Sequence, residues 1–292
     1  MIHLPAIAFL AYAGASLAWS PGDVPWAAAL LLSLALAYGL GLWLRDLYWL
    51  WFGYCVVLAA NVPIAIAFKA FGLSDLSGIQ GLFGNPNYLA CALAMGVAGA
   101  LSYRLWWYLP FGVVGLLLCQ SRGAMLAAGV VGMLALWSRF RATAMIVGLL
   151  SIYALLHLTE TKSGYEASAV LQRLGIWQDT MNHFTIFGRG FGSFSTAYAA
   201  WPVHTNMTLI LPQHAYNDAV ELIFDLGIGA IPLWFAVAVA LEGSGPRLPL
   251  VAFLILSLAF FPFFISPVGQ FLALTLGHLT RRERTSYAPA IA

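Results

Sequence analysis

The chain has 292 residues, of which 62% are hydrophobic and 8% charged, with a formal net charge of +2. A soluble domain carries roughly 25% charged residues, so this composition excludes a water-facing globule and describes an integral membrane protein whose solvent is a lipid bilayer. So small a net charge also excludes a nucleic-acid partner, which requires a broad basic surface.

A helical span takes about 20 apolar residues, within a range of about 17–25. By that measure the sequence predicts ten helices, at 4–19, 24–44, 47–71, 86–103, 105–120, 122–137, 142–158, 215–241, 247–264 and 267–280. The first run lacks a basic leader and a small-residue cleavage site, so it is expected to remain as a span. The first, fifth, sixth and last runs are short and are expected to tilt, re-enter or lean on neighbours. Pro63 and Lys69 in the third run predict a kink and a lysine reaching for the headgroups. Cys55, Cys91 and Cys119 lie inside apolar runs and are expected as small core residues, neither a disulfide framework nor a metal set.

Basic residues set the orientation. With the N-terminus in the cytoplasm, Arg45, Arg104, Arg139, Arg141, Arg247, Arg281, Arg282 and Arg284 fall on the cytoplasmic side, eight of the thirteen basic residues. Ten spans also return the C-terminus to that side. Residues 1–292 thus read as one polytopic domain with one long outer loop, 159–213. Within the loop Ala167, Val170, Leu171, Leu174, Trp177 and Met181 recur at three- and four-residue spacing. That pattern predicts an amphipathic helix lying at the membrane surface, with Trp177 at headgroup level.

Three outer arginines break the charge bias: Arg122 in "CQSRGAML", Arg173 in "QRLGIWQD" and Arg189 in "FGRGFGSF". A guanidinium is always charged and binds phosphate bidentately. Gly188, Gly190 and Gly192 would let backbone amides approach an anion. A structural account is also open, with Arg122 an interfacial anchor, Arg173 paired with Asp179 or Glu166, and the glycines making a turn. In "SGIQGLFGNPNYLA", Asn85 is placed to cap the fourth helix and Pro86 to open it. That leaves Gln80 and Asn87 to bind sugar hydroxyls or orient an arginine. In "HAYNDAVELIFDLG", Asp218 and Glu221 have capping-box spacing. Asp218, Glu221 and Asp225 share one helix face over about 10 Å, and the outer arginines are their expected partners. His214 stands just ahead of that helix. No HExxH, paired-acid, phosphate-loop or GxSxG pattern is present, so no metal and no cofactor is expected.

In order, "FGNPNYLA", "SRGAML", "QRLGIW", "IFGRGFGSF" and "HAYND" resemble the motifs of the O-antigen ligase/polymerase family. That family includes lipopolysaccharide O-antigen ligases, Wzy-type polymerases and bacterial O-linked oligosaccharyltransferases, and the resemblance covers roughly residues 78–231. It implies an all-α, GT-C-like membrane glycosyltransferase of the bacterial inner membrane, with its active site facing the periplasm. The implied donor is a glycan on undecaprenyl diphosphate. The implied acceptor is a hydroxyl of lipid A-core, of a growing glycan or of a protein, and no metal is used. By motif, Arg122, Arg173 and Arg189 match diphosphate-binding arginines and His214 matches the loop-end histidine. The chain has fewer spans than is common in the family, and "HAYND" holds a single histidine where ligases often show two.

The chemistry agrees with that implication. Fixed cations stabilise the charge gained by a leaving diphosphate. His214 is the expected proton acceptor, oriented by Asn217, Asp218 or Glu221. Alternatively His214 binds diphosphate and Glu221 or Asp218 is the base. Asn85, Asn87, Gln80 and Asn217 are the candidate sugar-binding or orienting groups. Direct attack inverts the anomeric centre. The competing readings are a transporter or flippase for a lipid-linked glycan and an inactive structural membrane protein. Transporters usually show repeats and midplane charge, whereas this sequence has no repeat and gathers its charge at the outer end.

Overall fold

The computed structural model describes residues 2–73, 78–137, 140, 141, 143, 145–149, 163–200, 212–242, 246–258 and 260–287, with backbone alone at 163–171 and 283–287. Among these residues every regular element is helical. The helices are α1 (His3–Ser16), α2 (Val24–Trp43), α3 (Tyr48–Ala70), α4 (Pro86–Tyr103), α5 (Leu109–Cys119) and α6 (Arg122–Trp137). After them come α7 (Ser163–Asn182), α8 (Phe194–Ala199), α9 (Asp218–Leu226), α10 (Ile231–Glu242), α11 (Leu248–Ser257) and α12 (Val268–Tyr287). Local chemistry sets several boundaries. The Trp26 amide donates to the Asp23 carboxylate at 3.1 Å to start α2, and the Asn87 amide donates to the Asn85 side chain at 2.8 Å to start α4. Arg104 (φ 59°) and Gln120 (φ 56°) end α4 and α5 in the left-handed region, where the helix can no longer propagate.

Large apolar side chains are exposed along the helices, among them Leu32, Leu36, Val57, Val113, Leu117 and Phe235. Faces of this kind are what a bilayer solvates and water does not. Val24–Trp43, Tyr48–Ala70 and Asp218–Glu242 are long and apolar enough to cross a membrane alone, and four further apolar helices are shorter. The core is built around α4, whose residues from Leu89 to Ala100 are all buried. Ala, Gly and Cys dominate that stretch, so α3, α5, α6 and α11 can approach closely. Gly99 meets the Trp51 indole of α3, and Gly96 meets the Tyr108 ring. A side chain at Gly99 would overlap an indole that is itself 0% exposed. Gly99→Val is therefore expected to destabilise the chain by roughly 1–3 kcal/mol, read as a lower thermal midpoint in detergent. An unchanged midpoint would mean that α3 and α4 are not packed this way. The three cysteines are buried free thiols, as expected.

Several expected boundaries are corrected. The run 215–241 stands as a span, Asp218–Glu242, but is broken inside: α9 ends at Gly227 (φ 57°), and a 3-10 turn, Gly227–Ala230, leads into α10. Gly227 lies against the Ile186 carbonyl and Gly229 against the Tyr12 ring, so this break is a packing site. The run 247–264 stops being helical at Ser257. Beyond it Phe260, Phe261, Phe263, Phe264 and Ile265 are buried in turns. Irregular backbone of this kind is tolerated at membrane depth where protein covers it. The last helix is longer than expected, through Tyr287. Of the run 142–158, residues 145–149 are helical and 150–158 lie outside the described residues. The surface helix is present as α7, but Leu174 and Met181 on its expected apolar face are exposed, while Ile176 and Thr180 are buried. The Trp177 indole N–H donates to the Ala215 carbonyl at 2.7 Å, because a partly buried indole needs an acceptor.

Candidate functional site

Helix α9 is nine residues long and carries three carboxylates. Asp218 and Asp225 are 0% exposed and Glu221 2%. A buried charge without partners is prohibitively costly, so the partners reveal what each acid does. They are hydroxyls, backbone amides and one imidazole. The expected pairing with outer arginines is thus replaced by a different use for each acid.

Asp225 anchors the glycine-rich loop. Its side-chain oxygens accept from the Gly192 amide at 2.7 Å and the Ser193 hydroxyl at 2.9 Å. The Arg189 and Gly190 amides donate to the carbonyls of Phe224 and Asp225, at 3.2 and 2.8 Å. The Phe191 amide donates to the Ser16 hydroxyl at 3.0 Å. The Gly190 and Gly192 amides expected to cradle an anion are therefore spent on Asp225, and the Gly188 amide on the Thr185 carbonyl at 3.1 Å. Gly188, Gly190 and Gly192 have φ of 70°, 101° and 72°, which explains the residue type without a ligand.

Asp218 holds down the aromatic turn after α11. One of its oxygens accepts from the Ser257 hydroxyl at 2.9 Å and the Phe263 amide at 3.0 Å. It does not cap α9. That role belongs to Asn217, whose side-chain oxygen accepts from the Ala219 and Val220 amides at 3.0 and 3.2 Å. The Asn217 amide group donates to the Leu258 carbonyl at 3.4 Å. Both side chains, expected in catalysis or sugar binding, help hold the fold, and the second Asp218 oxygen is buried without a hydrogen-bond partner among the described residues. Asn85 is likewise a cap. Gln80 and Asn87 stay half-buried at the same end of the bundle.

Glu221 is turned the other way. One oxygen pairs with Nδ1 of His214 at 2.8 Å, and the other accepts from the Ala215 amide at 2.8 Å. The imidazole is stacked on Phe261 with centroids 4.0 Å apart and planes at 17°. Both the tilt and the rotation of the ring are thus fixed. With the carboxylate accepting the Nδ1 proton, Nε2 is the ring nitrogen left to take another. The His214 side chain is 19% exposed.

Around this pair the aromatic turn collects further groups. Tyr88 of α4 and Tyr216 both meet Phe261 edge-on, at 5.4 and 5.6 Å. Tyr216 has φ 55°, a strained conformation for a side chain of its size. The Arg173 guanidinium lies 5.1 Å from the Tyr216 ring and 5.8 Å from Phe260. Burial pushes its pKa down while the neighbouring Tyr216 phenol pushes it up, and guanidinium remains charged throughout. Gly123 abuts the same Phe260 ring, which brings the start of α6 to this cluster. Arg189 goes elsewhere. Its guanidinium lies 5.5 Å from Phe224 and donates to the His183 carbonyl at 3.3 Å. It lines a separate cavity of about 450 Å³ with Trp19, Pro21 and Phe187.

Sequence reasoning missed Tyr88, Tyr216, Phe261 and Ser257. A run of four phenylalanines around Pro262 was the available signal. Among the described residues no group of three His, Cys, Asp or Glu side chains is placed to hold a metal ion. A scan of the chain against protein-family models finds no match, and a search of curated proteins finds no similar sequence.

Proposed function

We propose that the chain is a membrane glycosyltransferase that moves a glycan from a polyprenyl-diphosphate carrier to an acceptor hydroxyl, as an O-antigen ligase does. The observation that carries the reading is the fixed Glu221–His214 pair, stacked on Phe261 in the same aromatic turn whose Phe260, with Tyr216, holds the Arg173 guanidinium. As the acceptor oxygen attacks the anomeric carbon, its proton passes to Nε2 of His214 and the bond to the diphosphate oxygen breaks. Glu221 holds the tautomer and stabilises the imidazolium. Arg173 and Arg122 offset the charge gained by the leaving diphosphate. Attack from the opposite face inverts the sugar. Arg189, at the far end of α9, is outside this set.

The same reading takes the shorter apolar helices as spans supported by neighbours, giving a ten-span, GT-C-like bundle in a bacterial inner membrane. Both termini are then cytoplasmic and His214 faces the periplasm. The alternatives within the class are a Wzy-type polymerase and a protein O-oligosaccharyltransferase, which differ only in whose hydroxyl enters. The break between α9 and α10 is the feature that favours a transporter, since transporters use broken helices. Here, however, the Ile228 amide at the break is taken by the Ile186 carbonyl at 2.9 Å.

The full chain, reconstituted with a glycan on undecaprenyl diphosphate and a lipid A-core acceptor, is expected to form linked product and to do so equally in EDTA. Strict dependence on added Mg²⁺ or Mn²⁺ would sink the metal-free chemistry. Labelled glycan accumulating in the vesicle lumen without linkage would replace the transferase with a transporter.

A further inference from the structure

A second polar cavity, of about 640 Å³, opens at the end of the bundle opposite His214. It lies between the start of α3, the end of α4, the start of α11 and the end of α12. Asp46, Tyr48, Ser102, Tyr103, Arg247 and Arg282 line it. The hydroxyls of Ser102 and Tyr103 are shielded from solvent and have no hydrogen-bond partner among the described residues. Two orphaned hydroxyls in one polar cavity point to a ligand that satisfies them. The cavity's one carboxylate is partly engaged, since Asp46 accepts from the Tyr48 amide at 3.0 Å. The two arginines outweigh it, and the first turn of α11 has no side-chain cap, so its positive dipole end is open. The ligand is therefore an anion.

Depth identifies the kind of anion. Trp43, Trp49, Trp106 and Trp107 are exposed around the same end of the bundle. Such a belt marks the boundary between hydrocarbon and headgroups. We propose that this cavity binds the phosphate of an anionic phospholipid from the adjacent leaflet. Arg247 and Arg282 meet the phosphate oxygens, and Ser102 and Tyr103 donate to phosphate or glycerol oxygens. The site is independent of the transferase reading, because no residue in it belongs to the His214 cluster.

The test is binding and thermal stabilisation of the purified full chain in mixed micelles. Phosphatidylglycerol is expected to raise the thermal midpoint, and phosphatidylcholine is not. Arg247→Gln and Arg282→Gln are each expected to weaken phosphatidylglycerol binding by roughly fivefold. Arg45→Gln, which alters an exposed arginine outside the cavity, should leave it unchanged. Tyr103→Phe keeps the packing and is expected to weaken binding while the lipid-free protein stays folded. Equal stabilisation by phosphatidylcholine, or equal loss in Arg45→Gln, would overturn the site. Displacement of the lipid by soluble glycerol phosphate at matched concentration would overturn the lipid source and assign the cavity to a free phosphate compound.

Discussion

His214→Ala is expected to lower glycan transfer by roughly 10²–10⁴-fold, the contribution of a positioned general base. The loss should fall on kcat, because the imidazole acts on the acceptor proton and not on donor binding. A rise in the donor KM at unchanged kcat would instead assign His214 to the diphosphate and leave Glu221 as the base. Full activity in His214→Ala would remove the histidine from the chemistry. Glu221→Gln tests the same pair from the other side. Glutamine can still accept from the Ala215 amide with its oxygen, but its amino group then faces Nδ1 of His214. That contact favours the tautomer with the proton on Nε2, which cannot accept another. Wrong-tautomer histidines lose as much as about 10⁴ in rate with geometry intact, so Glu221→Gln is expected to be nearly as inactive as His214→Ala. Glu221→Gln should elute and melt close to the parent, since glutamine matches glutamate in volume, whereas His214→Ala should still elute as folded protein but melt lower, because the buried Glu221 loses its imidazole partner.

The helical, lipid-facing character of the chain was legible in composition and run length, because those count residues and need no contacts. The helix start at Asn85 was legible from its own residue type and the proline after it, whereas at α9 the spacing of Asp218 and Glu221 pointed to the wrong cap. What a linear pattern could not convey was direction. Asp218, Glu221 and Asp225 share a helix and read alike, yet one secures an aromatic turn, one orients a histidine and one anchors a loop. Those choices depend on groups 7 to 45 positions away in the chain. Arg173 and Arg189 also read alike and diverge, one to the His214 cluster and the other to the cavity beside Trp19. The break at Gly227 was hidden because an apolar run looks the same whether or not a glycine in it has positive φ. The motif order that resembles O-antigen ligases thus mixes two kinds of residue: some sit around His214, and others hold the loop that borders it.

Asp225→Ala is expected to cost the fold roughly 2–6 kcal/mol, about 1–3 kcal/mol for each of two donors left without an acceptor. The Gly192 amide, part-buried, and the Ser193 hydroxyl, buried, both lose their acceptor. The glycine-rich loop is then held by the Ser16 hydroxyl and by main-chain bonds to Phe224 and Asp225, which do not replace a carboxylate. Asp225→Asn separates shape from charge. Its oxygen can still accept from the Gly192 amide, and its amino group can donate to the Ser193 oxygen once that hydroxyl rotates. The asparagine variant should therefore lose only about 1 kcal/mol, the net worth of a typical hydrogen bond. The measurement is thermal unfolding in detergent together with limited proteolysis across 186–193, where Asp225→Ala should be cut faster than the parent. Arg189→Ala supplies the contrast. Its guanidinium makes a cation–π contact and a 3.3 Å bond to a carbonyl at the edge of an open cavity. Its removal should cost about 1 kcal/mol or less while the Asp225 clamp stays closed. If Arg189→Ala proved as destabilising as Asp225→Ala, the loop would be held by its cation, and the motif would be organised around Arg189 instead of around the buried acid.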